Sequence, residues 1–107
     1  MNSNDIFTAF AIASKYPSIK RVGMFGSRAR ESHNENSDID IVIDYDENVD
    51  DYIYDMGYFM EDIEQQIPVK IDYITLPGLI KSSDLQFKQQ VLNDVKWLYT
   101  AVEEVTQ

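Results

Sequence analysis

The chain has 107 residues and a formal net charge of -10 at pH 7, from nineteen acidic and nine basic side chains. We therefore expect a single domain over residues 1–107 with one modest core, and a surface that repels nucleic acid. There is no cysteine, which excludes disulfides, thiolate metal sites and cysteine nucleophiles. The N-terminus lacks a basic region and an apolar run, and no stretch approaches the ~18 apolar residues of a membrane helix. These features predict a cytoplasmic protein without direct contacts to membranes or nucleic acids.

The first half of the chain predicts a helix and two strands. A helix capped by Ser3 is expected to run to about Lys15 and to end before Pro17. Apolar residues predict a strand over 19–25, and strict alternation predicts a second strand over 38–45. Three isoleucines of the second strand share one face, and the opposite face carries Asp38, Asp40, Val42 and Asp44.

The second half predicts helix, strand and helix. The apolar period becomes helical from 50 to 66, a third strand follows over 69–75, and Ser83 with Gln86 resembles a capping box that opens a last helix. Residues 97–101 fit either a continuation of that helix or an edge strand. This order predicts an α/β or α+β domain with a small mixed sheet flanked by helices. The predicted inner stripe of the 50–66 helix is Ile53, Met56, Met60, Ile63 and Ile67.

Asp38 and Asp40 form a pair of carboxylates on the predicted second strand. Side chains two residues apart on a strand project from the same face, within several ångströms of each other. Two anions so close are unfavourable without a countercharge, and Mg²⁺ supplies one because it prefers carboxylate and phosphate oxygens. If Asp72 lies on a neighbouring strand, three carboxylates converge. They then predict a site for two metal ions about 3.5–4 Å apart, with Mn²⁺ as the alternative ion.

Gly26 and Ser27 directly follow the first predicted strand, and Arg28 and Arg30 come next in a short helical turn. Glycine allows a backbone to approach a phosphate closely, and arginine pairs well with phosphate oxygens. A triphosphate held at this turn would lie beside the aspartate pair. Such a role would also explain why cations cluster at one place in an acidic chain.

Each of these features alone has a common structural explanation. A Gly-Ser pair after a strand is usually only a turn. An Asp-x-Asp strand is usually a solvated sheet face, and Asp72 beside a lysine fits an ordinary ion pair. The joint order and spacing of the three features favour a site over these separate explanations.

Acidic and aromatic residues crowd the stretch from 44 to 64. The acidic side chains fit a solvated edge, or a patch that meets a basic partner and keeps RNA away. The aromatic side chains of the 50–66 helix cannot all face one core, so they are either half-buried or part of a protein interface. They are Tyr52, Tyr54, Tyr58 and Phe59.

Gly26-Ser27, ten further residues and then Asp38-Ile39-Asp40 resemble the nucleotidyltransferase signature of the DNA polymerase β-like superfamily. The wider stretches 24–30 and 37–41 are similar to the minimal nucleotidyltransferase family, which places its third acid where Asp72 stands. The resemblance covers about 19–99, which is most of the chain.

The resemblance implies a polymerase β-like fold in which Ser27 binds the β- and γ-phosphates of ATP. It implies that Asp38 and Asp40 ligate the metals and that Asp72 ligates the catalytic metal and helps to deprotonate an acceptor hydroxyl. That hydroxyl would attack the α-phosphate and displace pyrophosphate. The implied nucleotide-binding set is Gly26, Ser27, Arg28, Arg30 and Ser37.

Family members of this size are commonly antitoxins encoded beside a helical HEPN-domain ribonuclease toxin, and some transfer AMP to a tyrosine of that toxin. The resemblance therefore implies a protein adenylyltransferase with a HEPN partner, in a hetero-oligomer or as a homodimer. One departure is Glu31, where many members have glycine; on a helical turn this side chain can point to solvent. The alternative is an antitoxin that neutralises its partner by binding alone, and a further one is a regulatory nucleotide- or metal-binding domain.

Overall fold

A four-stranded mixed sheet organises the computed structural model, which describes residues 2–102. The strands are β1 (Ile19–Phe25), β2 (Ile39–Tyr45), β3 (Ile71–Thr75) and β4 (Lys96–Thr100). Their order across the sheet is β3-β2-β1-β4; β1 pairs antiparallel with β2 and β4, whereas β2 and β3 are parallel. The predicted mixed sheet is confirmed, and the ambiguous C-terminal segment forms an edge strand.

Five helices flank the sheet within the described residues: α1 (Ser3–Phe10), α2 (Gly26–Ala29), α3 (Tyr52–Gln66), α4 (Leu76–Ile80) and α5 (Leu85–Asp94). A 3-10 segment, Ala11–Lys15, continues α1. No helix in the range 2–102 combines the length and the apolar character needed to cross a membrane.

Two helix caps differ from the sequence prediction by one residue each. Asn2, not Ser3, caps α1, in a reciprocal capping box with Asp5. Asp84, not Ser83, caps α5. In both cases the neighbouring residue is also a good cap, and local propensity does not decide between them.

The two faces of the sheet support two separate cores. The major core contains Ile41 and its β2 neighbours at alternate positions, packed against Phe10 of α1 and against Phe59 and Ile63 of α3. The minor core lies on the opposite face, where Val42 packs with residues of α4 and α5. The alternation predicted for residues 38–45 is therefore confirmed.

The inner stripe of α3 is rotated from the predicted one. Phe59 is fully buried, whereas Ile53 is 68% exposed. At 3.6 residues per turn, Ile53 points about 100° away from the direction shared by Phe59 and Ile63. The prediction that Ile53 is buried is wrong. The apolar spacing of the helix also fits a neighbouring stripe, and the stripe that packs on the sheet is the one that contains Phe59.

Candidate active site

Three strand ends meet at one edge of the sheet. β1 runs antiparallel to β2, so its last residue, Phe25, pairs with Asp40 near the start of β2. β3 runs parallel to β2, and Asp40 pairs directly with Asp72. The two carboxylates are thus cross-strand neighbours, and the turn after β1 begins beside them.

Gly26 is fitted closely to Asp40. Its φ is +73°, and a Cβ built on Gly26 would collide with the Asp40 carboxylate. Both facts favour glycine, because residues with a side chain rarely adopt this backbone conformation and a Cβ would not fit beside Asp40. The backbone of the Gly26-Ser27 turn therefore lies directly against one of the predicted metal ligands.

The three aspartates share an excess of negative charge. The pKa of Asp40 is raised, first by burial and then by the charges of Asp72 and Asp38, and Arg30 opposes this shift. Lys70 partly compensates, since its Nζ lies 3.4 Å from Asp72 Oδ1 and 4.0 Å from Asp38 Oδ2. Asp72 is thus both a member of the cluster and an ion-pair partner of a lysine.

The chemistry of these ligands suits a divalent cation. Mg²⁺ is typically held by one or two carboxylates together with phosphate oxygens, and it would relieve the repulsion that raises the pKa of Asp40. Within residues 2–102, no group of three acidic or imidazole side chains is arranged closely enough to hold a metal ion by itself. Ligand oxygens from a bound triphosphate would therefore be needed to complete the coordination.

The two arginines of the turn have different environments. Arg30 lines the cleft beside Asp40, and its Nη1 lies 2.5 Å from Asp94 Oδ2. Arg28 is 2% exposed, and its Nε and Nη2 donate to the Ser37 carbonyl at 3.1 and 3.0 Å. Arg30 therefore faces the cleft, whereas Arg28 holds the loop that leads to the aspartate pair.

Ser37 belongs to the same loop. Its hydroxyl accepts a hydrogen bond from the Asn34 amide at 3.0 Å, and its carbonyl accepts from Arg28. Ser37 and Arg28 are hydrogen-bonded to each other in the loop that leads to Asp38, and their expected roles in nucleotide binding stay predictions.

A cleft of about 460 Å³ opens beside the aspartates. Its polar side is formed by Ser27, Arg30, Asp40 and Asp72, and its opposite wall comes from α5 and the sheet. Four residues of α5 face the cleft, and the sequence did not predict them as site residues. No local motif marks them, and only the packing of α5 against the sheet brings them to the cleft. They are Phe87, Gln90, Val91 and Asp94.

Glu31 points away from this cleft. Its side chain is 74% exposed, and its Oε1 lies 3.9 Å from Lys96 Nζ on the edge strand. The φ of Glu31 is 60°, a left-handed conformation that favours glycine. The departure at this position therefore affects the backbone of the turn and adds no anion to the phosphate side of the cleft.

A small mixed sheet that places a glycine-serine turn against paired strand carboxylates defines a nucleotidyltransferase-type domain. The chain belongs to the polymerase beta nucleotidyltransferase family, whose model matches residues 9–104. The resemblance found in the sequence is thereby confirmed, and so is the expected fold.

Comparison with known proteins gives the same family. A relative from Methanocaldococcus jannaschii, named "Putative protein adenylyltransferase MJ1379", is 37% identical over 57 residues, which are 53% of this chain and 57% of that protein. The chain thus spans little more than half of the length of this curated relative.

Two solved structures share the fold. A chain in a crystal structure of a toxin-antitoxin with AMP-PNP superposes with a TM-score of 0.61 and 22% identity, over 94% of this chain and 75% of that one. A chain of the complex between a tri-AMPylated HEPN toxin and an MNT antitoxin from Shewanella oneidensis gives a TM-score of 0.53 and 19% identity, over 92% and 71%.

Proposed function

We propose that this chain transfers AMP from ATP to a hydroxyl group of a partner protein, a tyrosine of a HEPN-domain toxin, and so acts as its antitoxin. The observation that carries the proposal is the pairing of Asp40 with Asp72 beside the Gly26-Ser27 turn. The relative named as a protein adenylyltransferase and the fold shared with toxin-antitoxin complexes support the same donor and the same class of acceptor.

The residues of the cleft divide the work of the reaction. Ser27 and Arg30, which line the cleft, bind the β- and γ-phosphates. Asp40 and Asp72, with Asp38 beside them, would hold two Mg²⁺ ions, or Mn²⁺ in their place, and these ions would neutralise the charge that develops on the phosphates. Asp72 accepts the proton of the acceptor hydroxyl. The acceptor oxygen then bonds to the α-phosphorus, the bond from that phosphorus to the bridging oxygen breaks, and pyrophosphate leaves.

A second candidate is neutralisation of the partner by binding alone. The exposed apolar side chains of α3 favour it, because they provide a surface for a stable complex that does not depend on transfer. Both activities can coexist in one hetero-oligomer.

The proposal is tested by incubating the chain with labelled ATP, Mg²⁺ and the product of the reading frame adjacent to its own, which the proposal expects to be a HEPN-domain protein. Label is expected on the neighbour with the wild type and with Asp46→Asn, a control of equal charge change outside the cleft. Asp40→Asn should reduce labelling by more than about 100-fold, since loss of a metal ligand exceeds the effect of losing its supporting groups. If the wild type and Asp46→Asn both form a tight complex with the neighbour and neither labels it, neutralisation by binding alone is the function.

A further inference from the structure

We propose that the outer face of α3, defined by Ile53, Tyr54, Gly57, Tyr58 and Glu61, is the docking surface for a partner protein. The partner's complementary surface has an apolar centre and a rim of Lys and Arg. The identity of that partner, the HEPN-domain neighbour, rests on the function proposed above; the surface itself rests on exposure, shape and charge.

The outer α3 face exposes large apolar side chains. Ile53 is 68% exposed, Tyr54 66% and Tyr58 59%; at 3.6 residues per turn these side chains span an arc of about 140°, with Tyr54 and Tyr58 in one row and Ile53 on its flank. Phe59 and Ile63, on the opposite side, already supply the contact with the sheet. Tyrosine is enriched in protein interfaces because it combines apolar area with a hydroxyl. The fold itself gains little from these three exposed residues.

Gly57 leaves a notch beside the row of Tyr54 and Tyr58, between Ile53 and Glu61. A Cβ at Gly57 would have no heavy atom within 4 Å, so nothing within the described part of the chain requires glycine there. Glycine in a helix interior is less favourable than alanine. The missing side chain allows the backbone of another helix to approach α3 closely beside Tyr54 and Tyr58.

The charge around this face selects the kind of partner. Nine of the nineteen acidic residues lie between 44 and 66, where the sequence has no Lys, Arg or His. Such a field repels nucleic acid, anionic lipid and a second copy of this chain, and it attracts a basic protein surface. A partner with a basic rim is therefore favoured over the other possible occupants.

The outer α3 face and the cleft lie on opposite sides of the sheet. α3 covers the major core through Phe59 and Ile63, whereas the cleft is built on the face of Val42, with Val91 of α5 in its wall. A partner docked on α3 therefore leaves the cleft open to ATP, and the acceptor tyrosine of the proposed function has to lie on a part of the partner that extends past the sheet edge to the cleft. Variants of this face should lose affinity for the partner and keep metal-dependent binding of ATP.

The test measures the affinity of the full-length chain for the neighbouring HEPN-domain protein by calorimetry. Tyr54→Ala/Tyr58→Ala is expected to raise Kd at least about tenfold, as for residues at the centre of an interface. Leu85→Ala, at a residue 70% exposed on α5, is the matched control and should leave Kd within about twofold. The melting temperature and the Mg²⁺-dependent affinity for ATP should match the wild type in both variants.

Two further variants separate docking from folding. Gly57→Ala should raise the melting temperature of the free chain by about 4 °C and yet weaken the complex, a combination that a purely structural role cannot produce. Glu61→Gln should weaken binding more at low salt than at high salt. Gln89→Lys on α5, which changes the net charge equally, should not.

The outcomes are distinguishable. If the wild type binds the neighbour and the double tyrosine variant binds as tightly, the docking surface is overturned and the proposed function stands. If the wild type neither binds nor labels the neighbour, the proposed partner fails, and the docking surface falls with it. If light scattering shows that the free chain is a dimer that the double variant dissociates, the occupant is a second copy and the proposal is wrong.

Discussion

At the scale of single residues, Glu31 carries an unfavourable backbone conformation. Its φ is 60°, and a left-handed conformation costs a residue with a side chain about 1 kcal/mol. The ion pair with Lys96 offsets little of this, because both side chains are more than half exposed. We expect Glu31→Gly to raise the free energy of unfolding by about 1 kcal/mol in equilibrium urea denaturation.

Glu31→Ala is the control for this prediction. It removes the same carboxylate and keeps a Cβ, so it should bring no gain. Equal stabilisation by both substitutions would show that relief of charge repulsion, and not the backbone, is responsible. Since Glu31 points to Lys96, neither substitution should change the affinity for ATP.

At the scale of elements, Arg28 connects α2 to the loop before β2. Its side chain donates to the carbonyls of Ser37 and Glu35, and Asp38 follows this loop directly. Arg28→Met would remove all of these charge-assisted hydrogen bonds at once, and we expect it to lower the free energy of unfolding by about 3 kcal/mol. The free energy of unfolding of Arg28→Lys should lie between those of the wild type and Arg28→Met, because an ammonium group cannot make the paired hydrogen bonds of a guanidinium group.

Hydrogen exchange and calorimetry distinguish a positioning role of Arg28 from a phosphate contact. A positioning role predicts faster exchange in residues 33–38 and an affinity for ATP that falls in step with stability across the two variants. A direct phosphate contact predicts that Arg28→Met loses affinity for ATP at unchanged stability, and that Arg28→Lys retains most of it.

Tyr16 joins the end of the 3-10 segment to α3. Its hydroxyl donates to Asp62, and its ring lies edge-on to Phe59 at 5.9 Å between centroids. The hydrogen bond to Asp62, with burial and nearby acidic charge, raises the pKa of Tyr16 from 10.0 to about 12. The folded chain therefore favours the protonated phenol. The resulting stability is complete below pH 10 and is lost as the pH rises from 10 to about 12.

Tyr16→Phe tests this linkage. At pH 8 it should lower the free energy of unfolding by about 1 kcal/mol. The difference from the wild type should shrink between pH 10 and 12, because the wild type alone loses this hydrogen bond there. Tyr58→Phe, at an exposed ring, should follow the wild type throughout in urea titrations across this range. A constant difference between Tyr16→Phe and the wild type would contradict the assignment.

The elements themselves were largely predictable, and their orientations were less so. The two faces of β2 were predictable because side chains alternate strictly along a strand, so each residue can occupy only one face. Once β3 is predicted as the neighbouring strand, Asp40 is expected beside Asp72, as the structure shows. The apolar spacing in α3 fits two neighbouring stripes about 100° apart on the helix, and the sequence does not show which of them faces the sheet. For this reason Ile53 was wrongly predicted as buried. The site was predicted where a local motif carries it, at Gly26-Ser27 and the aspartates. The contacts of Arg28 with the loop before β2 and the place of α5 in the cleft wall were not predicted, because both depend on packing between segments that no local motif connects.

At the scale of the whole molecule, the acidic charge acts against folding, and this effect is concentrated at the three aspartates. The net charge is -10, and three carboxylates meet at one sheet edge with Lys70 as a partial counterion. Salt screens the general repulsion, so the melting temperature should rise with NaCl. A divalent cation bound at the aspartates should add to this, since a ligand present at 100 times its Kd stabilises by about 2.7 kcal/mol.

Thermal unfolding in NaCl and in MgCl₂ at matched ionic strength separates the two effects. The pKa of Asp40 is raised, so its ionised form opposes folding, and stability is lost as the pH rises through that titration. Asp40→Asn should therefore raise the melting temperature of the metal-free chain at neutral pH and abolish the extra stabilisation by Mg²⁺. Asp46→Asn changes the net charge equally and should keep the Mg²⁺ increment. If Mg²⁺ stabilises both variants as it does the wild type, the ion acts on the acidic surface in general, and the three aspartates do not form its site.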